Sequence, residues 1–355
     1  MSLQDQQAVA RALVADGKGI LAADETVGTL TKRFEALKIG STSESRRDYR
    51  ELLFTTPDAP SCISGVIMHD ETIRQQASNG LPLPDLLVRQ GIIPGIKVDS
   101  GAKPLAGFDG ETITEGLDGL RDRLKEYSTI GARFAKWRAV ISITDRLPSQ
   151  TCVEANAHAL GRYAALCQEQ GIVPIVEPEV LMDGNHSIER SDEVTGRVLQ
   201  AVFSALNDHK VELESVLLKP NMVLPGASCP TQASAAEVAA ATLRCLRRRV
   251  PAAVHGVVFL SGGQTGVAAT AHLNAINTSE GPKPWKISFS YGRALQDLAL
   301  ATWLGKKDRS HAAQRAYYHR ARCNAAAALG RYIPDMEDKS AGEVVGRDHF
   351  DPEDD

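Results

Sequence analysis

A (β/α)8 barrel is the fold this sequence predicts, and three observations predict it. Eight short β-rich runs recur along the chain, each bounded by turn residues. Helical periodicity fills several of the intervals, so strands and helices alternate, as in a parallel sheet with right-handed crossovers. Charged or polar residues gather near the C-terminal ends of the runs, where a barrel collects its chemistry. A doubly wound open sheet is the nearest alternative, but no Gly-rich dinucleotide turn follows the first run.

The elements follow in order. The opening stretch, MSLQDQQAVARALVADGKG, has amphipathic spacing and predicts a helix ahead of the barrel. The strands fall at 19–25 (GILAADE), 65–70 (GVIMHD), 95–99 (GIKVD) and 134–138 (FAKWR). The remaining four fall at 172–180 (IVPIVEPEV), 216–222 (VLLKPNM), 254–263 (VHGVVFLSGG) and 286–292 (KISFSYG). Helices are predicted at 149–170, 191–207, 231–248 and 311–329, several opening on Ser or Thr, which cap orphan amides. A helical insertion lies near 41–54. Residues 1–332 therefore form one barrel domain, and 333–355 a polar, acidic, mobile tail.

Composition narrows the function. With 355 residues, 43% hydrophobic and 24% charged, the chain has an ordinary globular make-up. A net charge of −4 supplies no basic surface for nucleic acid or an acidic membrane. No apolar run reaches the ~18 residues of a membrane helix. The N-terminus lacks a signal-peptide core and is short before the first strand, so a cytoplasmic location is expected. Six cysteines without CxxC pairing read as reduced thiols.

Lys219 is the most informative residue, set in the apolar run SVLLKPNM. A buried lysine costs free energy unless something pairs or uses it. A neutral lysine amine attacks carbonyls and forms Schiff bases. The alternative is a lysine whose stem lies on the core while its head reaches water. The other strand ends favour the first reading. Asp24, Lys97, Lys136 with Arg138, Glu177 with Glu179, Ser261 and Arg293 would join Lys219 at the barrel mouth. Residues two apart share a strand face, so Lys136 and Arg138 point together, as do Glu177 and Glu179.

Three sub-sites follow. SGGQ after the seventh strand and SYGR after the eighth each lead into a helix. Glycines there admit an anion to backbone amides, and Arg293 adds a fork suited to phosphate. Lys97 and Arg138, with Lys32 or Arg33, offer a second basic site; the alternative for the 32–33 pair is a solvated helix face. Glu177 and Glu179 form an acid–base pair in which mutual repulsion should leave one protonated. Alternatively both simply neutralise lysines. Paired carboxylates also serve glycosidases, but that reading leaves the lysines and phosphate loops unused. Two anion sites flanking a nucleophilic lysine suggest a ketose bisphosphate.

The motifs ILAADE, GIKVD, AKWR, VPIVEPE, LLKPNM, FLSGGQ and FSYGRAL, in this order and spacing, closely resemble class I fructose-bisphosphate aldolase. The match runs from about Gly19 to Tyr332, with PLAG, NAIN and KPW also fitting. The resemblance implies a TIM barrel in which Lys219 forms a Schiff base with the C2 ketone of fructose 1,6-bisphosphate. By the same resemblance Glu177 is the general acid, Glu179 supports the lysine's protonation state, and Asp24 takes the C4 hydroxyl proton. Lys136 orients Asp24 and polarises substrate. Ser261, Gly262, Gly292 and Arg293 match the C1-phosphate site. Lys97 matches the C6-phosphate site, with Thr26 and Thr29 where the family often has serines, and Arg138 binds substrate nearby.

No cofactor and no metal are implied, and the nine histidines are scattered without metal-ligand spacing. A homotetramer is implied by resemblance alone. Activity on fructose 1-phosphate or sedoheptulose bisphosphate stays open, as does a phosphosugar-binding protein that lost the chemistry. One departure stands out. Many class I aldolases end in a tail tyrosine that assists proton exchange at the enamine carbon, but here the last tyrosine is Tyr332. Another group or water would then protonate the enamine, with His349 a candidate.

Overall fold

The computed structural model describes residues 2–338, so His349 and the tail beyond 338 lie outside the described residues. In chain order the strands are β1 (Gly19–Ala23), β2 (Ile63–Met68), β3 (Ile93–Lys97), β4 (Ala102–Pro104), β5 (Thr112–Thr114), β6 (Phe134–Ile141), β7 (Val173–Val180), β8 (Leu217–Leu218), β9 (Gly256–Phe259) and β10 (Lys286–Tyr291). β4 and β5 form a small antiparallel hairpin. The other eight close into a parallel barrel in the ring order β1-β10-β9-β8-β7-β6-β3-β2. These eight are the eight runs read from the sequence.

The helices are α1 (Leu3–Leu13), α2 (Val27–Ala36), α3 (Ser43–Phe54), α4 (Asp70–Ile73), α5 (Leu83–Arg89), α6 (Leu120–Ile130) and α7 (Gln150–Glu169). They continue with α8 (Ile188–Asp208), α9 (Ala235–Arg249), α10 (Gly266–Thr278), α11 (Arg293–Trp303), α12 (Ser310–Ala328) and α13 (Asp335–Asp338). Hydroxyl caps set several starts: Thr42, Ser149, Ser187, Ser234 and Thr265 each accept an amide bond from the first turn. Among the described residues no helix is long and apolar enough to cross a membrane.

Strand alternation divides the barrel interior into two layers. Ile20, Ile67, Phe134, Val173, Ile175, Leu217 and Val258 pack together at one end, with Leu13 and Val14 from the end of α1. So α1 stoppers the N-terminal mouth. Two or four residues further along the same faces come Asp24, Lys136, Glu177 and Lys219. The apolar plug thus forms the floor of a charged upper layer.

Glycine makes the plug possible. A Cβ on Gly95 would stand 2.3 Å from the Phe134 ring, and one on Gly65 would stand 2.6 Å from a Leu13 methyl. One on Gly256 would meet Val14 at 2.7 Å. The glycines in these strands are therefore vacated space, filled by neighbouring side chains.

β8 is shorter than the expected 216–222. The Lys219 amide still donates to Val176 O at 2.8 Å. Pro220 then has no N–H for the ladder, so regular pairing stops there. Residues 333–338, expected within the tail, dock on α12 through Glu337, which Arg320 grips at 2.7 and 2.6 Å.

Gly95→Ala should destabilise the fold by roughly 1–3 kcal/mol through overpacking, while Gly40→Ala, whose Cβ meets nothing within 4 Å, should not. Urea-unfolding midpoints of the two variants check this. Equal midpoints would mean that Phe134 does not need the space.

Candidate active site

The sequence places functional groups at strand ends, and the fold turns them inward. Lys136 on β6 lies opposite Lys97 of β3 in register, and Arg138 lies opposite Glu177 of β7. Lys219 Nζ sits 3.0 Å from Glu177 Oε1. The other oxygen of Glu177 is 3.2 Å from Lys136 Nζ, which in turn is 2.6 Å from Asp24 Oδ2. A continuous chain, Lys219–Glu177–Lys136–Asp24, therefore crosses the mouth. Lys219 is 3% exposed, Glu177 3%, Lys136 4% and Asp24 8%, so water does little of the screening.

A second set of pairs lies beside it. Arg138 Nε donates to Glu179 Oε2 at 2.5 Å. The Arg138 amide donates to Asp99 Oδ2 at 3.2 Å, and Lys97 donates to both the Asp99 carboxylate and its carbonyl. Four cations thus face four carboxylates. The expected repulsion between Glu177 and Glu179 is met by separate cationic partners: two lysines hold the first and an arginine the second. The geometry matches the neutralising alternative more closely than a carboxylate pair sharing a proton.

Electrostatics follow from this packing. Burial opposes ionisation of Asp24, but the ammonium groups of Lys136, Lys219 and Lys97 outweigh it, and the carboxyl is held well below the usual range. Burial likewise opposes the Lys136 ammonium, but Asp24, Glu177 and Asp99 outweigh it and hold the proton on. Lys136 is a fixed positive charge at working pH.

The anion loops sit where the sequence put them. Ser261 is buried at the end of β9, and Gly262 and Gly263 take φ of +56° and +82°, a region that favours glycine. A Cβ on Gly262 would come within 2.9 Å of Leu260 and 3.8 Å of Glu179 Oε1, so this loop borders the acid–base groups. Gln264 closes the turn by donating to Ser261 O at 2.8 Å, with His272 Nδ1 2.6 Å from its amide oxygen. Gly292 caps α11, and Arg293 is its first residue. The starts of α10 and α11, the second carrying Arg293, thus follow neighbouring strands, β9 and β10, on one side of the barrel.

Thr26 caps α2, accepting from the Thr29 amide at 3.1 Å, with the two hydroxyls 3.0 Å apart. The basic pair 32–33 divides. Lys32 is exposed. Arg33 pairs with Glu25 and reaches Asp297 at 2.8 Å, one turn beyond Arg293 on α11.

Several residues escaped the sequence reading. Asp99 shares a face with Lys97 two residues earlier, and that spacing was the available signal. Glu25, gripped by Arg33, by Arg50 at 2.7 Å and by Gln296 at 3.0 Å, was overshadowed by its neighbour Asp24. His69, next to last in the GVIMHD run, feels Lys97 and Asp24; burial first, then Lys97, holds its imidazole below the usual range.

With this geometry in view, comparison with known proteins is decisive. A model of the family described as fructose-bisphosphate aldolase class-I matches residues 5–349. The chain belongs to the class-I fructose-bisphosphate aldolase family. A probable fructose-bisphosphate aldolase class 1 of Xylella fastidiosa is 56% identical over 333 residues, 94% of this chain and 99% of that protein. Fructose-bisphosphate aldolase of Dictyostelium discoideum is 52% identical over 95% of each chain. A Plasmodium falciparum fructose-bisphosphate aldolase, solved in complex with TRAP and a small-molecule inhibitor, superposes with a TM-score of 0.91 at 48% identity. That superposition covers 93% of this chain and 95% of that one.

The Lys136–Asp24 pair yields a pH test of the family site. Asp24, with its folded pKa depressed, contributes stability that is present above about pH 4 and lost as pH falls through its folded value. Lys136→Met leaves the carboxyl buried without its nearest cation and should destabilise by roughly 3–5 kcal/mol at pH 7.5. The gap to the parent should narrow at pH 5, where the stranded carboxyl takes up a proton. Urea midpoints at both pH values measure it. An equal gap would mean that Lys136 does not hold Asp24 ionised.

Proposed function

We propose that the chain cleaves fructose 1,6-bisphosphate reversibly to dihydroxyacetone phosphate and glyceraldehyde 3-phosphate, through a Schiff base on Lys219 and without a metal. The observation carrying this reading is the 3.0 Å contact of Lys219 Nζ with Glu177 in a buried ion chain that ends on Asp24. Glu177 can accept the proton that frees the amine for attack on the C2 ketone. It then returns a proton to the carbinolamine hydroxyl, which leaves as water.

The protonated imine is the electron sink. As the C3–C4 bond breaks, its electrons flow to the imine nitrogen, and Asp24 takes the C4 hydroxyl proton as the aldehyde forms. A carboxylate held this far down is a weak base at rest. Lys219 is one of the charges holding it down. Cleavage turns the positive imine into a neutral enamine, so the positive charge fades as Asp24 must accept its proton. Lys136 keeps its own charge throughout and orients Asp24.

Phosphates fix the register. Ser261, Gly262, Gly292 and Arg293 take the C1 phosphate, and Lys97 with Thr26 and Thr29 the C6 phosphate. Arg138 holds substrate between them, and Glu179, paired to Arg138, keeps the acid–base side polarised. Tyr332 is tied to Glu337 at 3.0 Å. Enamine protonation falls to solvent or another group, and the candidate His349 lies outside the described residues. The homotetramer and cytoplasmic location implied by resemblance belong to the same proposal.

Steady-state kinetics with chelator present test the reading. Lys219→Ala should lower kcat by about 10⁴-fold or more. Arg293→Ala should raise KM roughly 10- to 100-fold, for fructose 1-phosphate as well as for the bisphosphate. An unchanged KM for fructose 1-phosphate would refute the C1-phosphate assignment, and activity lost to chelator would refute the metal-free mechanism.

A further inference from the structure

Outside the barrel mouth, one cluster brings together three side chains of metal-ligand chemistry. His319 and Cys323 stand four residues apart on one face of α12, and Glu337 of α13 folds back onto them. The sequence alone offers no such set, because the third member comes from another element. Cys323 Sγ lies 3.7 Å from His319 Nε2, and Glu337 Oε2 lies 3.5 Å from the same nitrogen. All three ligand atoms lie within 4.8 Å of one another, with His319 and Cys323 buried. In a tetrahedral site with bonds of about 2.0–2.3 Å, neighbouring ligand atoms stand about 3.3–3.6 Å apart. The two edges through His319 are close to that spacing before any ion is present.

The protons explain why a cation suits this spot. His319 Nε2 meets both neighbours with a single atom. As N–H it donates to the carboxylate and has nothing for the thiol's proton. As a lone pair it accepts from the thiol and turns electron density toward Glu337. A cation at the centre satisfies nitrogen, sulfur and oxygen together. The carboxylate is already oriented: Arg320 donates to Oε1 at 2.7 Å and to Oε2 at 2.6 Å, and the Tyr332 hydroxyl donates to Oε1 at 3.0 Å. Each carboxylate oxygen has two lone pairs, so the Oε2 pair on the His319 side can still bind. Such supporting bonds are the usual surroundings of a ligating carboxylate. Arg320 also repels an incoming cation, and the two anionic ligands, thiolate and carboxylate, offset this.

We propose that His319, Cys323 and Glu337 form a three-ligand site for a borderline-soft divalent cation of the zinc type, with a fourth position open to water. Its role is to staple α13 to α12, and so to fix where the chain leaves the barrel. It takes no part in the aldol chemistry at the mouth. Burial, and after it Glu337, pushes the Cys323 thiol up to about 11, so binding must expel its proton. The other groups around this thiol are Arg320, Arg322 and Cys62.

Cobalt titration of the reduced full-length protein tests the site, with Co²⁺ as the probe. One equivalent should produce a thiolate-to-cobalt absorption band, release about one proton, and be displaced by Zn²⁺. Cys323→Ser should abolish the band. His319→Ala and Glu337→Gln should each weaken binding at least ~10-fold, with Cys229→Ser as the unaffected control. Unfolding midpoints without metal identify any variant that fails to fold, and for such a variant the parent's stoichiometry and band decide. No thiolate band at one equivalent, or a band that survives Cys323→Ser and vanishes with Cys229→Ser, would overturn the proposal. Aldol cleavage should be the same with and without the ion, so the outcome does not depend on the proposed reaction.

Discussion

The structure depends on packing four cations and four carboxylates, buried or half-buried, together at one end of the barrel. Lys97, Lys136, Arg138 and Lys219 face Asp24, Asp99, Glu177 and Glu179. At an effective dielectric near 20, unit charges about 3 Å apart attract by roughly 5–6 kcal/mol. Desolvating each ion costs several kcal/mol. The layer is therefore close to break-even and is no source of stability. What holds it is the scaffold beneath and around it: the apolar plug, the α1 stopper and the helical shell. Remove one charge, and another is left stranded in low dielectric.

On the proposed reading, the chemistry uses that near-balance. A layer at break-even can lose, move or neutralise a charge without a large penalty, provided another group responds. Glu177 sits between two lysines, so a proton leaving Lys219 has an acceptor 3.0 Å away, and the vacated charge is partly replaced by Lys136. Asp24 responds to the charge at Lys219 through space. On the proposed reading, proton transfer at one end of the chain and base strength at the other are coupled through these charges. The two Gly-bearing loops are built differently, from backbone amides and glycines, of which Gly262 and Gly263 take positive φ. On the proposed reading they take phosphate without adding lysines to an already balanced layer.

Most of this was legible because barrel architecture converts sequence position into geometry. A polar residue at the end of an apolar run must point into the mouth, and period-2 alternation says which neighbour joins it. That logic placed Lys219, Lys136, Glu177 and Asp24 in one layer and set Ser261 and Gly292 at the two loops. It was silent on partners across strands, because register is not written locally. Hence the sequence suggested a Glu177–Glu179 pair, whereas the fold gives each its own cations. It also missed Asp99, although Lys97 two residues earlier shares its face; only its bond to the Arg138 amide needs β3 beside β6. The partners of Arg33 were hidden for a related reason: a helix face has several neighbours, and only packing brings it to Glu25 and Asp297. The His319–Cys323–Glu337 cluster needed α13 to fold back.

The central claim is that Lys219, at the head of the buried ion chain, is the nucleophile. The most direct measurement is to incubate the protein with fructose 1,6-bisphosphate in the presence of chelator, reduce with borohydride, and map the adduct by mass spectrometry. The account predicts one triose-phosphate adduct, on Lys219. An adduct on Lys136 or Lys97 instead, or none while cleavage proceeds, would contradict it.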